Sequence, residues 1–280
     1  MSHAPTTVAL FCVTFNTYAE LSDYYRSVCQ AAERAGGRVR VDFFVADNTE
    51  HNPRAITLPE APSVVPRVFP FHNNLGYLGA VQAMMGTADI DIGHYDYVAI
   101  SNVDLIMEPE ALLRLHAYTP APRVGWLAPT LWSEQEQRDR NPGVRLRYTA
   151  RRLRLLRLMF RFPALEAAYR ATCYKRHRAR RPCPAGETIY AGHGSFMLFT
   201  KAYFARCGIP RFPMFLYGEE LYFAEQCRLH GLDVIYCPGI RLRDREHASV
   251  GTFPRPRICR YNYESLGYIL STFYKIRDKR

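Results

Sequence analysis

Short apolar runs alternate with amphipathic stretches through the first half of the chain, and this alternation restricts the possible folds more than any other feature. Val8 to Phe15 has the length of a buried strand. Tyr18 to Ala35 carries Leu21, Tyr24, Tyr25 and Val28 at helical intervals, and Gly36-Gly37 ends that helix. Strands are expected over Val39 to Ala46 and Val64 to Phe71, then a helix over Gly76 to Ala88. A strand over Tyr97 to Ser101 follows, then a helix over Glu108 to Tyr118 and a strand over Val124 to Ala128. Later elements are expected at Thr188 to Tyr190, Ser195 to Thr200, Glu219 to His230, Val234 to Cys237 and Ile258 to Lys275. Such a rhythm predicts an α/β chain whose mainly parallel sheet is covered by helices on both faces, with right-handed crossovers. Ligands of these sheets bind beyond the carboxyl ends of the strands. Polar clusters stand at those ends here: Thr14-Phe15-Asn16, Asp47-Asn48 and Asn102-Val103-Asp104.

Charge is concentrated. The net charge is +11, but Arg138 to Arg181 holds 15 Lys plus Arg against Asp139 and Glu166, so the rest of the chain is slightly acidic. Within this insertion, Arg145 to Phe162 reads as a basic amphipathic helix. Arg147, Arg151, Arg154, Arg157 and Arg161 fall on one side; Leu153, Leu156, Met159 and Phe160 fall on another. A second basic cluster runs from Lys175 to Arg181. The pattern suits an anionic membrane surface. Packing of the apolar side on the body, an oligomer contact and phosphate binding are the competing readings. No apolar run reaches spanning length, and Met1 to Thr7 lacks a signal peptide's basic start and apolar middle, so a cytoplasmic protein is expected. The eight cysteines form no C-x-x-C pair, which disfavours a zinc ribbon or a thioredoxin-type site.

Several short motifs could carry chemistry. Asp104, at a strand tip after Asn102, could hold Mg2+ or Mn2+ through oxygen, although Asn and Asp are also common in plain turns. Asp47 could accept hydrogen bonds from a base or a ribose. Asn73-Asn74-Leu75-Gly76 opens a helix and allows close backbone approach to an anion, but it is not a dinucleotide fingerprint. Glu219 and Glu220 start a helix, where acids often only complement the dipole; they could also supply a general base. His247 sits in a charged run and could approach a metal.

In order and spacing, these motifs resemble the family 2 glycosyltransferases with the GT-A fold, in particular bacterial enzymes of polysaccharide and rhamnan assembly such as rhamnosyltransferases. The resemblance covers roughly residues 8 to 250. It rests on Thr14-Phe15-Asn16, Asp47-Asn48, Asn74-x-Gly76-Tyr77, Asn102-Val103-Asp104, Gly194-Ser195-Phe196-Met197, Leu216-Tyr217-Gly218-Glu219-Glu220 and His247. It implies an inverting, metal-assisted transfer from a nucleotide-sugar donor to a glycan or lipid-linked hydroxyl. Thr14, Phe15, Asn16, Asp47, Asn48, Asn74, Gly76 and Asn102 would hold the donor. Asp104 and His247 would meet the divalent metal, Mg2+ or Mn2+. Glu220 stands where the family's catalytic Asp usually sits, with Glu219 orienting; the departure from G-E-D leaves the base open between the two. His193, Phe196 and Tyr217 are candidates for the acceptor pocket, although aromatic residues at these positions suit the core equally well. The implied architecture is a single domain with a donor half (8–130), a basic insertion (133–185), an acceptor half (186–255) and a C-terminal helix (256–280). With the basic insertion, the resemblance places the chain peripherally on the inner face of the cytoplasmic membrane.

Two other classes fit less well. A nucleic-acid module leaves the strand-tip acids unexplained and shows no zinc-finger, homeodomain or RNP signature. A sugar nucleotidyltransferase would want a basic, glycine-rich loop after the first strand, where this chain reads Thr14-Phe15-Asn16-Thr17. An inactive relative, binding membrane or nucleic acid, is the alternative that the Asn102 and Glu220 departures keep open.

Overall fold

The structure is a computed structural model and describes residues 4–87, 89–172, 182–245 and 253–274. His247 and the basic run from Lys175 to Arg181 lie outside the described residues.

The chain opens with β1 (Thr6–Thr14), α1 (Tyr18–Arg34), β2 (Val39–Asp47) and β3 (Val64–Phe69). Helix α1 forms because Leu21, Tyr24, Tyr25, Val28, Ala31 and Ala32 make one buried stripe, and Gly36 and Gly37, both at positive φ, turn the chain out of it. Next come α2 (Tyr77–Met85), β4 (Tyr97–Ser101), β5 (Leu105–Met107), α3 (Ala111–His116), β6 (Val124–Ser133) and β7 (Arg138–Asp139). The insertion supplies α4 (Ala150–Arg161) and α5 (Pro163–Thr172). The chain continues through β8 (Thr188–Ile189), β9 (Phe196–Thr200), α6 (Lys201–Cys207), α7 (Glu219–Leu229), β10 (Asp233–Asp244) and α8 (Arg255–Phe273).

All ten strands join one sheet, whose main path runs β3-β2-β1-β4-β9-β6-β10-β5. β3, β2, β1 and β4 are mutually parallel. β9 enters antiparallel between β4 and β6, while β10 runs parallel to β6. The chain builds outward from β1 to β3 and then returns to place β4 on β1's other side. The order therefore reverses between β1 and β4, and a crevice opens there at the carboxyl ends.

Period-two alternation feeds two cores. Phe11, Phe44, Met197 and Phe199 pack on one face with Trp126 and Phe223; Leu10, Cys12, Phe43 and Leu198 pack on the other with α1 and α3. Phe196 belongs to this second cluster at 3% exposure.

The charged stretch after Cys237 extends β10 as a strand. Ile240, Leu242 and Asp244 point inward, and Arg241 and Arg243 point outward toward Glu108 and Glu134. In the basic helix, the structure shows one of the readings left open, packing of the apolar side on the body. Leu153 is fully buried, and Leu156 and Phe160 pack on the same core as α8's Leu266 and Ile269, so the expected apolar side is spent on the body. Arg147 precedes the helix and turns inward to the buried Glu225 of α7 (2.6 Å).

Candidate functional site

A cleft of about 420 Å³ lies at the switch point. Phe15 follows β1, Asn48 follows β2, and Asn102 and Val103 follow β4, so three strand ends supply one wall. The opposite wall comes from Gly192, His193 and Gly194 ahead of β9 and from Phe215 to Glu220 at the start of α7. Tyr148, just before α4, and Phe253 complete the lining.

The donor-side candidates divide. Phe15, Asn48, Asn74, Gly76 and Asn102 line the cleft. Asn48 Nδ2 donates to Gly76 O (3.0 Å), and its Oδ1 is buried with no partner. Gly76 sits at φ +76, and a Cβ there would lie 2.2 Å from Phe215 O. Only glycine lets the 215–218 loop close against the start of α2. Thr14 is buried and bonded to Thr17 (3.0 Å), bracing the β1–α1 turn, and Asn16 is exposed at φ +59. Asp47 is buried beside the main cleft, accepting from Thr49 N (3.0 Å) and Tyr18 Oη (3.2 Å), with His72 Nδ1 at 3.7 Å. It lines a second hollow with Arg54, Ile56, Val68 and His72.

The acids meet the other wall. Gly218, at φ +84, caps α7, and Tyr217 is itself held at φ +69. That strained turn is fixed from behind by Ser265 of α8, whose hydroxyl donates to the carbonyls of Tyr217 and Leu216. The Glu219 carboxyl is buried and is pushed up to about 8, first by burial and then by the charge of Glu220. One of its oxygens has no partner. Glu220 lines the cleft with Oε2 over Gly194, 3.5 Å from where a Cβ would stand, and burial raises its carboxyl as well. The Tyr77 phenol donates to Gly194 O (3.4 Å); burial, followed by the charges of Glu219 and others including Asp104, holds it well above the ordinary phenol range.

Asp104 is half-buried at the β4–β5 turn, immediately after Asn102 and Val103 in the wall. Its backbone oxygen accepts from Arg245 N (3.0 Å). Among the described residues no cluster of three or more His, Cys, Asp or Glu side chains could hold a metal. His193 accepts at Nδ1 from Ser195 N (3.2 Å), which leaves the ring proton on Nε2 when neutral; Tyr217 also lines the cleft, whereas Phe196 points into the core. Of the two readings of Phe196, the structure takes the core one in place of the acceptor pocket: period-two alternation along β9 turns it away from the cleft. Tyr77, Tyr148, Phe253 and the 143–144 turn line the cleft without having been singled out as acceptor or donor residues. Tyr148 lies inside the stretch expected as the basic helix, but the helix begins only at Ala150 and leaves Tyr148 in the segment before it.

No protein-family model and no curated protein matches this sequence. Solved structures do match. Mannosyltransferase PcManGT from Pyrobaculum calidifontis, in complex with GDP-Man and Mn2+, aligns at a TM-score of 0.51 and 12% identity, over 94% of this chain and 74% of that one. The fold is that of the GT-A glycosyltransferases. S. aureus TarS also aligns: its 1–349 structure at a TM-score of 0.46 and 10% identity over 83% of this chain, and a longer TarS structure at 0.49 and 8% over 86%. This chain spans 60% and 37% of those two chains. In the GT-A frame, the switch-point cleft lies where doubly wound sheets bind their ligands. Among the described residues no helix is long and apolar enough to cross a membrane.

Proposed function

We propose that this chain is an inverting glycosyltransferase that moves a sugar from a nucleoside-diphosphate sugar to a hydroxyl of a glycan or lipid-linked acceptor, in bacterial surface polysaccharide assembly. The observation that carries the reading is Glu220: a half-buried carboxylate at the start of α7, in a cleft whose facing wall is built from the carboxyl ends of β1, β2 and β4.

Glu220 is the base. Its carboxylate takes the proton of the acceptor hydroxyl as that oxygen bonds to the anomeric carbon. The bond from that carbon to the diphosphate breaks on the opposite face, so configuration inverts and the nucleoside diphosphate leaves. Glu219, protonated at neutral pH, holds no charge to compete and acts as an orienting donor. Asn48, Asn74, Gly76 and Asn102 hold the donor, and His193 and Tyr217 the acceptor.

A hard divalent cation fits the oxygen chemistry of the β4–β5 turn. Asp104 would hold Mg2+ or Mn2+, with donor phosphates completing the shell as they commonly do. When bound, the ion neutralises charge on the departing diphosphate. The PcManGT complex makes GDP-mannose with Mn2+ the first pair to test, alongside UDP- and dTDP-sugars.

The test has two stages. A thermal-shift screen of nucleotide sugars with Mn2+ should find a donor, and that donor should then be used in a transfer assay with wild type and Glu220→Gln. We expect Glu220→Gln to keep the donor-induced shift and to lose roughly 10²–10⁴-fold in transfer rate. Transfer at near wild-type rate would remove Glu220 from the mechanism; no shift with any nucleotide sugar would remove the transferase reading.

A further inference from the structure

Helix α5 packs inside out. Its one buried residue is Glu166, gripped by Arg255 of α8 through two hydrogen bonds (Nε–Oε2 2.9 Å). Its large apolar residues face outward: Leu165 is 53% exposed and Tyr169 38%. Docking a helix by a carboxylate while leaving leucine in water reverses ordinary amphipathic packing.

Helix α4 shows the same outward character on the side away from α8. Leu155 and Leu158 are 66% and 51% exposed, and Phe162, between the two helices, 50%. Leu155 and Leu158 thus share one side of α4, Leu165 and Tyr169 one side of α5, and Phe162 stands exposed at the joint between them. Arg151 and Arg154 flank the leucines on α4, exposed and with no acidic partner among the described residues. Helix α4 contains no Asp or Glu.

The partner must be apolar at its centre and anionic around it. A second copy docked by the same face would set two strongly basic insertions against each other. The break at Phe162, which leaves the helical region at φ −121, also interrupts a straight helical seam. Nucleic acid would use the arginines and leave the leucines unexplained. A bilayer with anionic headgroups satisfies both: leucines reach the acyl boundary, and the arginine stems lie along it with guanidiniums at the phosphates.

A groove of about 340 Å³ adds direction. It shares Gly143, Val144 and Tyr148 with the main cleft and reaches α4's first turn at Arg152. Leu146, 80% exposed, lines it as well. We propose that the outer face of α4 and α5 docks on an anionic lipid bilayer, and that this groove opens the cleft toward the docked side. The docking is independent of the transferase reading, and its test reads no transfer.

Full-length protein is floated with phosphatidylcholine vesicles and with vesicles that also contain phosphatidylglycerol, at low and physiological salt. Wild type should float with the anionic vesicles only, and less so as salt rises. Arg151→Ala/Arg154→Ala should weaken binding about fivefold per arginine. Leu155→Gln/Leu158→Gln/Leu165→Gln should weaken it with no loss of charge. These side chains are exposed, so melting temperatures should hold. Arg123→Ala/Arg206→Ala removes equal charge elsewhere and should bind as wild type does. The proposal is overturned by absence of flotation at low salt, by an equal loss in the Arg123/Arg206 control, or by full binding in the leucine variant. A dimer that the leucine variant dissociates, without vesicle binding by wild type, would reassign the face to self-association.

Discussion

Glu219 and Glu220 are neighbours in sequence that meet different surroundings, and their pH behaviour follows from that. Glu219 stays protonated up to about pH 8 in the folded chain, against an ordinary value of 4.5 when exposed. A carboxyl raised by folding contributes fully below its unfolded pKa, and its contribution is lost as pH rises through the folded one. Glu219→Gln keeps a neutral, hydrogen-bonding group and removes the titration. The variant should therefore gain on wild type steadily between pH 4.5 and 8, by on the order of 5 kcal/mol, and then run parallel to it. Denaturant melts across that range check this; parallel curves throughout would show an ordinary carboxyl. The sequence offered both acids and their place at a helix start. The resemblance put Glu220 first as base; that Glu219 is the more deeply buried of the two depends on tertiary packing, which no local pattern announces.

At the scale of elements, α7 does more than present the acids. Its Glu225 is fully buried and receives Arg147 (2.6 Å), Arg228 (2.8 Å) and Tyr190 Oη (2.6 Å). Burial pushes this carboxyl up, but the bonds from Arg147, Tyr190 and Arg228 outweigh it and hold it below the usual range. Arg147 lies over the Tyr274 ring at 3.9 Å, and Tyr274 Oη bonds to Tyr148 O (3.0 Å). The clamp thus ties the segment carrying Tyr148, a cleft residue, to the helix carrying Glu220. Glu225→Ala should cost about 3 kcal/mol, the low end for breaking a buried pair, because Arg147 and Arg228 keep some contact with water. Urea unfolding at neutral pH measures it. The gap to wild type should narrow in acid, as pH falls through Glu225's lowered pKa and wild type loses the same charge. Helical spacing alone put Arg147 on a solvated arginine face. Its partner lies 78 residues on, and no local pattern announces a pairing of that range.

Across the whole molecule, the parallel half was legible because β1, β4 and the second half of β2 are apolar runs closed by polar tips. The antiparallel insertion of β9 between β4 and β6 was not, since strand order depends on which edge the returning chain meets. The tail of β10 was hidden for another reason: one of its faces is arginine. The site inherits this division. The strand-tip residues Asn48 and Asn102 could be named from sequence, while Tyr77 and Phe253 reach the cleft only through the fold. Asp104 joins the two halves, since its β4–β5 turn follows the strand-end wall and receives Arg245 N from the end of β10. A cation held there with the donor's phosphates would make nucleotide binding a property of the assembled molecule. Stabilisation by a nucleoside diphosphate should then require Mn2+, at about 2.7 kcal/mol for ligand at a hundred times its Kd, or a melting shift on the order of 5 °C. The corresponding nucleoside, with no phosphates, should show no Mn2+ dependence. Asp104→Ala should lose most of the Mn2+-dependent shift, measured against its own ligand-free melting temperature. A shift that survives both EDTA and Asp104→Ala would mean that the diphosphate is held by backbone and asparagine amides alone.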